Sequence, residues 1–118
     1  MCIIVEKVFN PPKKLKTPKI GYKVAVKTSH GNYRPELYNG RVVFKINEWK
    51  IDPKKRSIDD EYLPGFHFYL TKKDAINDSF GPPVDYIVKI EYDELTALGS
   101  FNGYKAGVAR KIKVICEV

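Results

Sequence analysis

Two side chains in this sequence have the chemistry of a nucleophile and a base, and they lie far apart. Cys2 follows the initiator methionine. Removal of Met1 would expose an N-terminal cysteine, whose own α-amino group (reference pKa near ~8) serves as a base for the thiol. The stretch YLPGFHFYLTKKDA, residues 62–75, holds His67 between Phe66 and Phe68. A Cys2–His67 pair oriented by a carboxylate has the ingredients of nucleophilic catalysis. No local spacing forces the two together, and each has a plain structural alternative. Free cysteine behaves as a small buried hydrophobe in many strands. In an extended FHFYL segment alternate side chains point opposite ways, so Phe66 and Phe68 belong to a core. His67 and Tyr69 then take the other face, lysine-bearing or crossed by a loop, where His67 meets a ligand or makes a structural hydrogen bond.

Lysine and arginine supply a second kind of chemistry. The chain carries 21 of them against 14 carboxylates, a formal net charge of +7. Such a field draws anions, whether nucleotides, nucleic acid or an acidic protein surface, and it also serves solubility. Lys13, Lys14 and Lys16 in KKLK, and Lys54, Lys55 and Arg56 in PKKR, sit beside prolines in loop-like sequence. Lys45 alternates with apolar residues, and Tyr33, Tyr38, Trp49, Tyr62, Tyr69 and Tyr104 are interleaved with the basic positions. Bases stack on aromatic faces while lysines neutralise phosphates. The candidate binding residues are therefore His67, Tyr69, Lys13, Lys14, Lys16, Lys45, Trp49, Lys54, Lys55 and Arg56. The absence of a P-loop and of GxGxxG gives no support to a standard ATPase or a Rossmann dehydrogenase. With two histidines, two cysteines and no CxxC, the sequence shows no zinc spacing, and neither metal nor cofactor is expected. The carboxylates of Asp59, Asp60 and Glu61, and of Asp93 and Glu94, fall in or beside turns, where they temper the basic surface.

These residues have to be positioned by one domain, 1–118, of ordinary domain size. With 43% hydrophobic and 13% aromatic residues, it can bury a core without disulfides or metal. Period-2 alternation dominates. Tyr22, Val24 and Val26 share one face, with Lys23 and Lys27 opposite. Val42, Phe44 and Ile46 alternate with Val43, Lys45 and Asn47. Tyr86, Val88, Ile90 and Tyr92 form another face, as do Ile112, Val114, Cys116 and Val118, with Lys111 and Lys113 opposite. CIIVEKVF adds a first strand, FHFYL a middle one, and residues 95–101 a further short one. Each long strand reads apolar inside and lysine outside, as in an antiparallel sheet with one wet face. Thr71 and Asp74 predict the start of a helix over KKDAIND, stopped by Gly81-Pro82-Pro83. Residues 10–19, 30–35 and 49–62 read as loops, and Asn39-Gly40 as a hairpin turn. The expected fold is α+β: a twisted, mostly antiparallel sheet of five to seven strands with one short helix on its apolar face. No apolar run approaches the ~20 residues that span a bilayer. MCIIVEKVF is too short and too soon charged for a signal peptide.

An MC start, then GYKV, GFHFYLTKKDA, IVKIEYDELTALG and AGVARKIKVICEV, in that order, resembles small bacteriophage and mobile-element accessory proteins of unassigned function. The resemblance covers most of the chain, and GFHFYLTKKDA and the closing IKVICEV segment are its specific parts. It implies an accessory protein of a kind that counters host defence, acting in the host cytoplasm. It carries over no catalytic residue, and the basic DPKKRS loop departs from the pattern. The leading expectation is non-enzymatic binding of an anionic partner: a nucleotide signal, a nucleic acid or the acidic face of a host defence protein. A small enzyme using Cys2 or His67 is one alternative. A pure protein–protein inhibitor of a host defence factor is the other. No membrane partner is expected, and a homo-oligomer is left open.

Overall fold

The computed structural model describes residues 4–35, 42–52 and 65–118. Their backbone forms a mostly antiparallel sheet of seven strands with a single short helix. In chain order the elements are β1 (Ile4–Lys13), β2 (Lys19–Lys27), β3 (Tyr33–Pro35), β4 (Trp49–Ile51), β5 (Phe66–Tyr69), α1 (Lys72–Asn77), β6 (Tyr86–Phe101) and β7 (Tyr104–Glu117). Among the described residues no helix is long and apolar enough to cross a membrane.

The long β6–β7 hairpin is the scaffold. Asn102 and Gly103, with φ of 52° and 83°, separate the paired residues Phe101 and Tyr104. Two left-handed residues in succession give a turn whose twist matches that of the strands it joins, and Asn-Gly tolerates it best. β2 lies along residues 86–92 of β6 and β1 along residues 95–100. On the far edge of β7, β5 pairs with residues 106–109 and β4 with residues 111–113. β2 and β5 meet at one pair, Tyr22 and Tyr69, which closes β2, β6, β7 and β5 into a ring. Inside it Phe66, Phe68, Val88, Ile90, Ile112 and Val114 are buried together. Phe68 stacks on Tyr92 at 4.2 Å between centroids, and Phe44 meets Phe66 edge-on at 5.1 Å. The ring is narrow enough that a Cβ on Gly107 would stand 2.6 Å from Cζ of Phe68.

The helix begins as the sequence predicts. Thr71 has extended backbone, and its Oγ1 accepts a hydrogen bond from the Asp74 amide at 3.2 Å. Six residues cannot hold a helix by hydrogen bonding alone. α1 is fixed instead by Ala75, which packs with Val24, Tyr69 and Ile87 in a second apolar cluster. These three are chain neighbours of Ala25, Phe68 and Val88, which face the ring interior. The helix therefore covers the outside of the ring.

That cover overturns one reading of the alternation. Lys23, expected on a wet face, is 6% exposed and lies on the interior side of β2 with Gly21 and Ala25. β2 is buried on both faces, by the ring interior and by α1, so apolar residues on one face do not tell which is the main core. Residues 95–101 form no separate strand; they are the second half of β6. Each segment expected as a loop contributes some strand: residues 10–13 end β1, Tyr33–Pro35 is β3, and Trp49–Ile51 is β4. Their prolines are tolerated because β1 is an edge strand and β3 a three-residue strip. Conversely, residues 42–47 form no strand; Phe44 makes one bridge to Tyr33, and the chain then turns. Asn39 and Gly40 lie outside the described residues.

Candidate functional site

The outer surface of β7 carries a cationic row because of an irregularity in the hairpin. Ala109 and Ile112 both belong to the core, so the two residues between them, Arg110 and Lys111, both face away from it. In β6 the matching residues are Asp93 and Glu94, and Glu94 has a φ of 54°. Normal alternation then resumes, with Lys113 outward between Ile112 and Val114. β4 is laid against this row by a tight turn in which Glu48 N–H donates to the Lys45 carbonyl at 3.2 Å and Asn47 N–H to the Val114 carbonyl at 2.8 Å. Trp49 thereby pairs with Lys113, and Ile51 with Lys111. Both ammonium groups lie 5.2 Å from the Trp49 ring centroid.

Each row continues across the sheet to a carboxylate. Glu91 stands opposite Lys113 with an N–O distance of 3.8 Å, and Asp93 pairs with Lys111. The face is thus ordered as apolar residue, cation, carboxylate, from β4 through β7 to β6. A cation–π contact that solvent still reaches is worth about 0.5–1 kcal/mol, and a partly exposed ion pair such as Lys113–Glu91, whose side chains are 23% and 28% exposed, about 0–1 kcal/mol. Neither holds the lysines firmly, so both can turn toward an arriving anion at small cost.

The residues expected from sequence are distributed over several places. Trp49 is on this face, half-buried, and Lys45 is exposed in the turn that leads to it. Lys13 lies at the end of β1, where it and Lys7 stand 5.6 Å and 5.2 Å from the Phe9 ring. Lys14 and Lys16 are exposed on either side of Leu15, whose N–H donates to Asp93 Oδ1 at 2.8 Å. Lys54, Lys55, Arg56 and Cys2 lie outside the described residues.

His67 and Tyr69 have structural settings. Tyr69 is buried under α1, and its hydroxyl donates to the Asp78 carboxylate, which also accepts from Asn102 Nδ2 at 3.1 Å. Asp78, at the C-terminal cap of α1, thereby ties the helix end to both β5 and the β6–β7 turn. His67, on β5, pairs with Val108 of β7 and is mostly enclosed. Burial, reinforced by the Lys23 ammonium, pushes its pKa down to about 4, so the imidazole is neutral at pH 7. Lys23 Nζ donates to the His67 carbonyl at 2.6 Å. β2 and β5 share only one residue pair, and beside it this ammonium takes the place of a ladder N–H. Among the described residues, no three His, Cys, Asp or Glu side chains gather to hold a metal ion.

The partners of Trp49 are the lysines that sequence reasoning left out of the candidate set, Lys111 and Lys113. Their outward direction is legible in KIKV. Their meeting with Trp49 depends on the pairing of β4 with β7, for which no local signal exists. No known protein family matches the chain, and no curated protein or solved structure does.

Proposed function

We propose that this chain is a non-enzymatic, phage-type accessory protein that binds an anionic partner on the outer face of β4 and β7. One observation carries the reading: two ammonium groups stand 5.2 Å from the ring of the chain's single tryptophan. A planar anion placed there exchanges two weak cation–π contacts for charge-assisted hydrogen bonds, which are roughly twice as strong as neutral ones. The net charge of +7 steers it in. The resemblance of GFHFYLTKKDA and the closing strand supplies the setting, the host cytoplasm, with a nucleotide signal, nucleic acid or acidic protein as partner. Because Trp49 is the only tryptophan, its emission reports on the site directly. Titration with ATP, an oligonucleotide or a polyglutamate peptide should change that emission for at least one probe. Lys111→Ala/Lys113→Ala should weaken its binding tenfold or more while the melting temperature stays close to that of the parent. Unchanged affinity in the double variant would reject this face.

A second reading, docking on a host protein, is favoured by a different place. Phe80 is 84% exposed and Val84 58%, on a loop held by Phe80 N–H to Asp85 Oδ2 at 3.0 Å and Asp85 N–H to the Gly81 carbonyl at 3.0 Å. On that reading Phe80→Ser abolishes biological activity and the double lysine variant keeps it.

A further inference from the structure

We infer that the anionic partner is single-stranded nucleic acid, with two successive nucleotides laid on the rows Trp49–Lys113 and Ile51–Lys111. This rests on the function just proposed and specifies its ligand. The face repeats one motif: an apolar side chain on β4 next to a lysine on β7, twice over. The repeat is two residues of strand, about 6.7 Å, on the scale of one nucleotide of an extended strand, which is itself a flat base joined to a phosphate. Trp49 offers its ring to the first base. Ile51, 56% exposed, offers an apolar surface to the second.

The carboxylates then give the ligand its track. Glu91 and Asp93 extend the same two rows on the β6 side, so a phosphate chain is repelled from the middle of the sheet and confined to β7 and β4. Two further features favour a single strand over other polyanions. A duplex keeps its bases stacked and paired and has no free ring face to give Trp49, and a polyphosphate has no ring at all. An indole ring and an aliphatic side chain meet the faces of bases, which every base has, so binding tolerates any sequence.

The test compares three probes on the intact chain: a short oligothymidylate, a duplex of equal length and linear polyphosphate, each followed by Trp49 emission over a range of salt. The oligothymidylate should bind at least about tenfold tighter than either of the others. Its log K should fall with log salt with a slope near ~1.4, from two phosphates at about 0.7 each. Lys111→Ala and Lys113→Ala should each lower that slope by about 0.7. Glu91→Gln should tighten binding. Equal binding of duplex or polyphosphate at Trp49, or a slope unmoved by the lysine variants, overturns this inference and leaves anion binding standing. If ATP, polyglutamate and all three of these probes leave Trp49 emission unchanged, the proposed function falls with it.

Discussion

Acidification should weaken this fold through one side chain. His67 has a pKa pushed down to about 4 by burial and by the nearby Lys23 ammonium, against about 6.5 in an unfolded chain. Protons therefore bind the unfolded state more readily at every pH between these values. The stability contributed by the neutral imidazole is essentially complete above about pH 7.5 and is lost as pH falls through 6.5 toward 4. With those two values, linkage gives a loss of about 0.2 kcal/mol at pH 7, about 2 at pH 5 and about 3 at pH 4. Against a domain stability of about 5–15 kcal/mol this is a large effect. Urea unfolding followed by Trp49 emission reads it: at an m-value of ~1–2 kcal/mol/M, the midpoint should drop by ~1–2 M from pH 7.5 to pH 5. His67→Gln should abolish that drop, whatever it costs at neutral pH, and His30→Gln, in an exposed turn, is the matched control. Burial is the largest cause, so Lys23→Met should reduce the drop without removing it. If His67→Gln loses as much stability as the parent between pH 7.5 and pH 5, the histidine is not enclosed as described.

Two further expectations concern packing. Phe66 and Phe68 are 0% and 1% exposed, so each change to alanine should cost about 3–5 kcal/mol by urea unfolding; a loss below about 1 kcal/mol at either position would contradict the closed ring. Gly107→Ala drives a methyl to 2.6 Å from Cζ of Phe68, and overpacking of this kind costs about 1–3 kcal/mol. Phe68→Leu in the same chain should cost less than it does alone, and simple additivity of the two would show that the clash is relieved elsewhere.

Legibility followed the asymmetry of each strand's surroundings. β6 and β7 have a packed side and a wetter side along residues 86–92 and 111–115, and there the interior residues Val88, Ile90, Tyr92, Ile112 and Val114 were readable from alternation. β2 lacks that asymmetry, and Lys23 was misplaced for that reason. Thr71 and Asp74 marked the helix because capping is a contact three residues long. The Asn-Gly at 102–103 carries the same hairpin signal as the one at 39–40, and it is what joins residues 95–101 to the last strand. β3 and β4 were illegible because three residues hold no period; they exist only through β2 and β7. The candidate site shares that fate. Trp49 stands out as an aromatic among lysines, whereas Lys111 and Lys113 become its neighbours only through a pairing between distant parts of the chain.

The central hairpin also sets an order of events during synthesis. β1, β2, β4 and β5 all pair with β6 or β7, and only β3 leans wholly on another strand. A ribosome makes those early strands first, and their template emerges only after them. Until residues 86–117 have left the exit tunnel, Phe66, Phe68 and Lys23 have no interior to enter. The nascent chain must wait as an open, strongly cationic polymer and then assemble against the direction in which it was translated. For such a chain the late arrival of one Asn-Gly turn, rather than the progress of translation, times the moment at which a folded protein appears.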